Sequence, residues 1–202
     1  MKKVKICGIT SREEIGWLNQ IKPDYAGFVV FFPKSKRNLS LDQARDLIGR
    51  LDSRIQSVAV VVKPTLDQAL QIQEAGFSLI QIHGDVSEEI MNSIKIPIWK
   101  AFNVSDLAEF PKYNMMGKIS GFVFDAARPG SGTTFDWDLL KQIPETDKIK
   151  MLAGGLNPDN AGQAAQVAGI DGLDTSSGVE RESGIGKDRD KIENFVRQAR
   201  EN

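Results

Sequence analysis

The chain runs to 202 residues with a formal net charge of −1, and 41% of its residues are hydrophobic against 26% charged. That length suits a single domain, 1–202, with a sizeable core, and the composition excludes disorder, collagen and extended coiled coil. The near balance of charge excludes the broad basic field that nucleic-acid binding uses.

No apolar run approaches the ~20 residues that cross a bilayer. The opening Met1-Lys2-Lys3-Val4-Lys5 leads into a strand rather than the apolar segment of a secretion signal. The expected setting is therefore cytoplasmic, with no membrane or nucleic-acid partner, and the expected assembly is a monomer or homodimer. One cysteine and one histidine can make neither an internal disulfide nor a thiolate-rich zinc site. No metal and no cofactor are expected.

Short apolar runs alternate with helix signals along the whole chain. Val4 to Cys7 reads as a first strand, followed by a helix opening at Ser11-Arg12-Glu13-Glu14. Tyr25 to Phe31 precedes Ser40-Leu41-Asp42-Gln43, Ser57 to Val62 precedes a helix over Thr65 to Ala75, and Leu79 to Ile82 precedes Ser87-Glu88-Glu89. An N-cap oxygen paired with an acid or amide in the first turn marks the starts at Ser11, Ser40 and Ser87. Pro97 to Phe102 is followed by a weak segment around Asp106 to Tyr113, which Pro111 should shorten or interrupt. Gly121 to Asp125 with Trp137 to Ile143, Lys150 to Ala153 with Asn160 to Ala168, and Gly172 to Asp174 with Lys187 to Arg200 complete the series.

Most of these strands are continuous apolar runs, as strands covered on both faces should be. Eight strand–helix pairs predict an α/β fold, a single (β/α)8 TIM barrel with parallel strands. An open doubly wound sheet would carry a Gly-x-Gly-x-x-Gly turn after its first strand, where this chain has Cys7-Gly8-Ile9-Thr10.

In such a barrel the strand C-termini share one pocket. Cys7 ends the first strand and Asp125 the sixth. Alone, the cysteine reads as a small buried hydrophobe and the aspartate as a loop cap. Together across a pocket they form a general acid/base pair, provided a nearby cation favours the thiolate. Gly154-Gly155 after strand seven and Ser176-Ser177-Gly178 after strand eight match the barrel's usual backbone phosphate cradle, which predicts a small phosphorylated substrate. The loop Phe32-Pro33-Lys34-Ser35-Lys36-Arg37 is either a solvated surface run or a clamp for a second anionic group such as a carboxylate. His83, the lone histidine, reads as packing or as a neutral hydrogen-bonding wall rather than a proton carrier.

Lys5-Ile6-Cys7-Gly8-Ile9-Thr10, Phe32-Pro33-Lys34-Ser35-Lys36-Arg37, Gln81-Ile82-His83-Gly84, Pro129-Gly130-Ser131-Gly132 before Phe135-Asp136-Trp137, Leu152-Ala153-Gly154-Gly155-Leu156 and Ser176-Ser177-Gly178-Val179-Glu180 occur in that order. The set, spanning nearly the whole chain, resembles the phosphoribosylanthranilate isomerases of tryptophan biosynthesis. The resemblance implies a cofactor-free Amadori rearrangement of N-(5′-phosphoribosyl)anthranilate to 1-(o-carboxyphenylamino)-1-deoxyribulose 5-phosphate. It implies Asp125 as the acid that protonates the ribose ring oxygen, Cys7 as the base at C2′, and Arg37 on the anthranilate carboxylate. It also implies the phosphate on the backbone around Gly154, Gly155, Ser177 and Gly178, with His83 in the substrate pocket.

The chain departs from the family pattern at Val60-Val61-Val62-Lys63-Pro64, where many members carry a phenylalanine and an asparagine, and in the loop after Asp125. Two rivals stand beside this reading. A histidine-biosynthesis aminoaldose isomerase would, by family resemblance, carry an aspartate in place of Cys7. A non-catalytic barrel that only binds a phosphorylated metabolite would tolerate Cys7→Ala.

Overall fold

The structure, a computed structural model, describes residues 1–126, 134–184 and 186–201. Eight strands form the barrel: β1 (Lys3–Cys7), β2 (Tyr25–Val30), β3 (Gln56–Val62), β4 (Leu79–His83), β5 (Ile98–Asn103), β6 (Ile119–Asp125), β7 (Ile149–Leu152) and β8 (Gly172–Thr175). Each is parallel to its neighbours in chain order, and β8 returns to pair with β1, Lys5 opposite Asp174 and Ile6 opposite Thr175. Closure leaves no sheet edge exposed.

A two-residue strand, Asn38–Leu39, continues the edge of β2 where β1 stops. Phe31 turns the chain between them with φ +56°, which is why β2 ends one residue before the expected Phe31. This return places Arg37 directly over the end of β1. A Cβ on Gly8, itself at φ +78°, would lie 2.4 Å from Arg37 Cδ.

Outside the strands lie α1 (Arg12–Ile21), α2 (Leu41–Ile48), α3 (Leu66–Glu74), α4 (Glu88–Ser93), α5 (Phe110–Asn114), α6 (Ala161–Ala165) and α7 (Arg189–Glu201). Ser11 with Glu14, Ser40 with Gln43 and Thr65 with Gln68 form complete capping boxes, each satisfying two otherwise orphaned N–H groups. None of the described helices is long and apolar enough to cross a membrane.

Three helical segments differ from expectation. The segment at Asp106 to Tyr113 splits into a 3₁₀ turn, Val104–Glu109, and α5. Pro111 falls in the first turn of α5, where its missing N–H costs nothing. Trp137–Gln142 is 3₁₀ rather than α, and Ile143 leads into Pro144. The helix expected over Asn160 to Ala168 shrinks to Ala161–Ala165. Gly162 is a poor helix residue, and Asn160 is committed to the preceding loop, accepting from Asn157 N at 2.9 Å and donating to Gly155 O at 3.1 Å.

Two apolar layers follow from strand alternation. Residues facing outward, among them Val4, Ile6, Phe28, Ile80, Phe122 and Phe124, meet the helices in the larger core. Inward residues, Tyr25, Val58, Val60, Leu79, Trp99, Val123 and Met151 among them, fill the barrel. Trp99 crosses the interior edge-to-face on Tyr25, ring centres 4.7 Å apart. It fits because position 121 is glycine: a Cβ there would lie 2.6 Å from Trp99 Nε1. This plug fills the barrel interior, and a cavity opens at the C-terminal ends of the strands.

Candidate active site

Cys7 closes β1, and its sulfur lies against β2 because Gly27 has no side chain; a Cβ there would be 2.8 Å from Sγ. The turn that follows is pinned by Gly8 N and Ile9 N, both donating to Gly27 O at 2.8 and 3.0 Å. Ser176 Oγ donates to Cys7 O at 3.0 Å. Burial pushes the thiol above its ordinary pKa; the Lys5 ammonium pulls it back, Asp174 raises it further and Lys187 lowers it. The nearby cations thus pull toward the thiolate, as the sequence suggested, against the cost of burial. They offset the desolvation penalty without reversing it, Asp174 acting on the same sulfur with the opposite sign.

Lys5 precedes Cys7 by two residues on the same face of β1. It is fully buried, and its Nζ lies 2.7 Å from Asp174 Oδ2 on β8. A lysine survives there because a carboxylate meets it at close range. Asp174 Oδ1 is buried and has no hydrogen-bond partner among the described residues.

Asp125 closes β6, accepting from Ala126 N through Oδ1 at 2.8 Å. Desolvation, then the charge of Asp174, raises its pKa to about 6, against the Ala126 hydrogen bond and Lys5, which lower it. About a tenth of such carboxyls keep their proton at pH 7, enough for a general acid. Gly154, at φ +85°, passes so close that a Cβ would lie 2.6 Å from Ala126 N and 3.0 Å from Asp125 Oδ1.

His83 closes β4 with Nε2 3.0 Å from Gln81 Nε2. Desolvation, then Lys5 and Lys100, lower its pKa to about 4, so the ring is neutral near pH 7, and it lines the cavity. Arg37 Nε donates to Glu180 Oε1 at 2.5 Å. Glu180 also accepts from Lys36 at 2.8 Å and Lys187 at 3.4 Å. Against the cost of burial, the hydrogen bonds from Arg37 and Lys36 hold its pKa down at about 2.

Cys7, Arg37, His83, Asp125, Gly154, Gly155, Asp174 and Ser177 line one cavity of about 660 Å³ at the top of the barrel. The structure therefore brings together seven of the eight expected site residues. Gly178 stands behind the wall: a Cβ there would lie 2.0 Å from Leu156 O, so glycine is what lets the last two loops close on each other. Thr175 Oγ1 donates to the same Leu156 O at 2.6 Å. The motif Pro129-Gly130-Ser131-Gly132 lies outside the described residues.

Sequence reasoning passed over Lys5, Asp174, Glu180, Lys187 and Glu14. Glu14 is buried and accepts from Thr10 N at 2.6 Å, Ser11 N at 3.2 Å and Lys187 N at 2.7 Å. Lys187 Nζ then donates to Ser176 O at 2.9 Å. The available signal was charge inside otherwise apolar strands, Lys5 between Val4 and Ile6 and Asp174 after Leu173, since unpaired charges are not buried.

The family model for N-(5′-phosphoribosyl)anthranilate (PRA) isomerase matches residues 4–198. The N-(5′-phosphoribosyl)anthranilate isomerase of Thermoanaerobacter sp. (strain X514) is 39% identical over 206 residues, covering 99% of this chain and 98% of that one. The crystal structure of phosphoribosyl anthranilate isomerase from Thermotoga maritima superposes with a TM-score of 0.87 at 33% identity, covering 100% of both chains. A second phosphoribosyl anthranilate isomerase structure, in complex with reduced 1-(o-carboxyphenylamino)-1-deoxyribulose 5-phosphate, gives a TM-score of 0.85 at 31% identity, again over 100% of both. With the family model and a full-length relative in agreement, the chain belongs to the N-(5′-phosphoribosyl)anthranilate isomerase family.

Proposed function

We propose that the cavity at the top of the barrel isomerises N-(5′-phosphoribosyl)anthranilate with Asp125 as general acid and Cys7 as general base. The family's reaction is an aldose–ketose isomerisation in tryptophan biosynthesis, and the step-by-step assignment to these residues is our reading. The observation that carries it is a carboxyl with a pKa raised to about 6 lining the same cavity as a strand-end thiol. Two groups with such different environments suit opposite proton transfers.

Asp125 protonates the ribose ring oxygen, O4′, as the bond from it to C1′ breaks and the nitrogen lone pair forms an iminium. The positive charge of that iminium, adjacent to C2′, acidifies the C2′–H bond and favours the thiolate of Cys7 beside it, in addition to the pull of Lys5 and Lys187. Cys7 then removes the C2′ proton, and the C–H electron pair flows toward nitrogen to give an enolamine.

Arg37 has its Nε occupied by Glu180, so its Nη groups are the ones offered to the anthranilate carboxylate as a forked pair. The phosphate rests on backbone N–H groups of the Gly154–Gly155 and Ser176–Ser177 turns, both of which line the cavity. Gly178 sets the spacing of the two turns. His83 contributes a neutral hydrogen-bonding surface.

The test is a fluorescence assay of the loss of phosphoribosylanthranilate generated in situ, with wild type and Cys7→Ala side by side. Turnover by wild type and a drop of about 10²–10⁴-fold in kcat for the variant are expected. Normal turnover by Cys7→Ala would remove the proposed base.

A further inference from the structure

The isomerisation changes the proton count at four substrate atoms. O4′ gains a proton from Asp125 and C2′ loses one to Cys7. C1′ gains one, which the Cys7 thiol is placed to return because the two carbons are adjacent. The hydroxyl on C2′ must also lose its proton when the enolamine becomes a ketone, and no residue assigned so far receives it.

We propose that Asp174 is a third catalytic carboxylate, whose Oδ1 accepts a hydrogen bond from the C2′ hydroxyl of bound substrate and takes its proton as the ketone forms. The inference rests on the reaction assigned above. Asp174 lines the same cavity as Cys7 and Asp125 and is 6% exposed. Its Oδ2 is occupied by Lys5 Nζ at 2.7 Å, while Oδ1 is buried with no hydrogen-bond partner among the described residues. A buried acceptor left unpaired is costly, and a structure retains one where a ligand supplies the donor.

Location narrows the donor. Lys5 and Cys7 share one face of β1, and Asp174 stands opposite Lys5 in register, two residues along the strand from Cys7 and close enough that its charge acts on the thiol. A C2′ atom placed against Sγ for deprotonation carries its hydroxyl one bond away. Burial raises the pKa of Asp174, and the Lys5 ammonium at 2.7 Å opposes that rise, favouring the carboxylate.

The step balances. The O–H electron pair of C2′ becomes the second C=O bond, the C1′=C2′ pair takes the proton from the Cys7 thiol, and Asp174 gains the hydroxyl proton. The cycle begins with a proton on Asp125 and ends with one on Asp174. Passage of one proton from Asp174 to Asp125 through water restores the starting state and the thiolate.

Asp174→Asn keeps the shape and an acceptor for Lys5 while removing the base. With active wild type as reference, its kcat is expected to fall about 100-fold or more with KM within a few-fold. The acid-side limb of kcat/KM is expected to move to lower pH. The charges facing Asp125 are Asp174 on β8 and Lys5 on β1, the His83 ring being neutral, so removing the negative one lets Asp125 ionise more readily. A merely structural role for Asp174 would not move that limb.

An Asp174→Asn protein with wild-type kcat overturns the proposal, whereas inactive wild type would instead overturn the reaction assignment beneath it. Should the variant not fold, wild type alone decides. Reduced 1-(o-carboxyphenylamino)-1-deoxyribulose 5-phosphate, which carries the C2′ hydroxyl, is expected to bind at least about tenfold more tightly by calorimetry than its counterpart lacking that hydroxyl. Equal affinities overturn the proposal.

Discussion

Arg37 is held from behind by Glu180, its Nε 2.5 Å from Oε1, so the guanidinium reaches the cavity already oriented. Arg37→Ala is expected to raise KM about 10- to 100-fold, the range for a hydrogen bond to a charged group, with a smaller change in kcat. Glu180→Gln keeps Arg37 but loosens its orientation, and a smaller rise in KM, up to about tenfold, is expected. Steady-state kinetics of both variants check this; a Glu180→Gln effect larger than that of Arg37→Ala would assign Glu180 a different task.

The pH dependence of kcat/KM should be a bell with its limbs assigned in reverse. With the proposed roles the competent form has Asp125 protonated and Cys7 ionised, yet Asp125 has the lower pKa, about 6, and burial raises that of the thiol. Below pH about 6 the rate rises with pH because the thiolate fraction grows while Asp125 stays protonated. It then levels, since each gain in thiolate is matched by a loss of protonated Asp125, and it falls once the thiol itself has ionised. A profile without an acid limb near 6 would contradict the environment assigned to Asp125.

Acid stability should carry a signature of Glu180. Its folded pKa, about 2, lies below the ordinary 4.5, so the unfolded chain binds more protons between those values. The stabilisation is fully present above pH about 4.5 and is lost as pH falls toward 2. Glu180→Gln is therefore expected to flatten the decline of Tm across that window, which a series of thermal melts from pH 6 to 2.5 would resolve.

Gly178→Ala tests how the last two loops meet. The added methyl would lie 2.0 Å from Leu156 O, so one loop must shift, at a cost of about 1–3 kcal/mol. The expected result is a lower Tm together with weaker inhibition by inorganic phosphate, since the turns proposed to hold the anion would be spread. Unchanged phosphate affinity would separate Gly178 from the cradle.

The strands and the strand-end residues were legible from the sequence for a definite reason. A parallel barrel buries both faces of each strand, so the apolar runs at Ser57 to Val62 and Gly121 to Asp125 announce themselves, and a chemical group such as Cys7 or Asp125 marks where each run ends. Helix starts were equally clear at Ser11, Ser40 and Ser87, whose side chains all cap the helices that follow. The 3₁₀ turn at Trp137 and the shortened α6 were not, because local propensity there yields to loop demands such as those on Asn160. Glu14, Lys187 and Glu180 were invisible for another reason. Their meaning lies in pairings across more than 140 residues, and a charged residue in a loop looks the same in sequence whether it is solvated or clasped.

Glu14 binds the N–H groups of Thr10 and Ser11 with one oxygen and that of Lys187 with the other, so one buried carboxylate staples the loop after β1 to the segment before α7. The two stretches lie 173 residues apart in sequence, and bringing such distant stretches together is the entropically costly, slow part of folding. The wall beside Cys7 is therefore completed when the segment before α7 docks, not when β1 and α1 form.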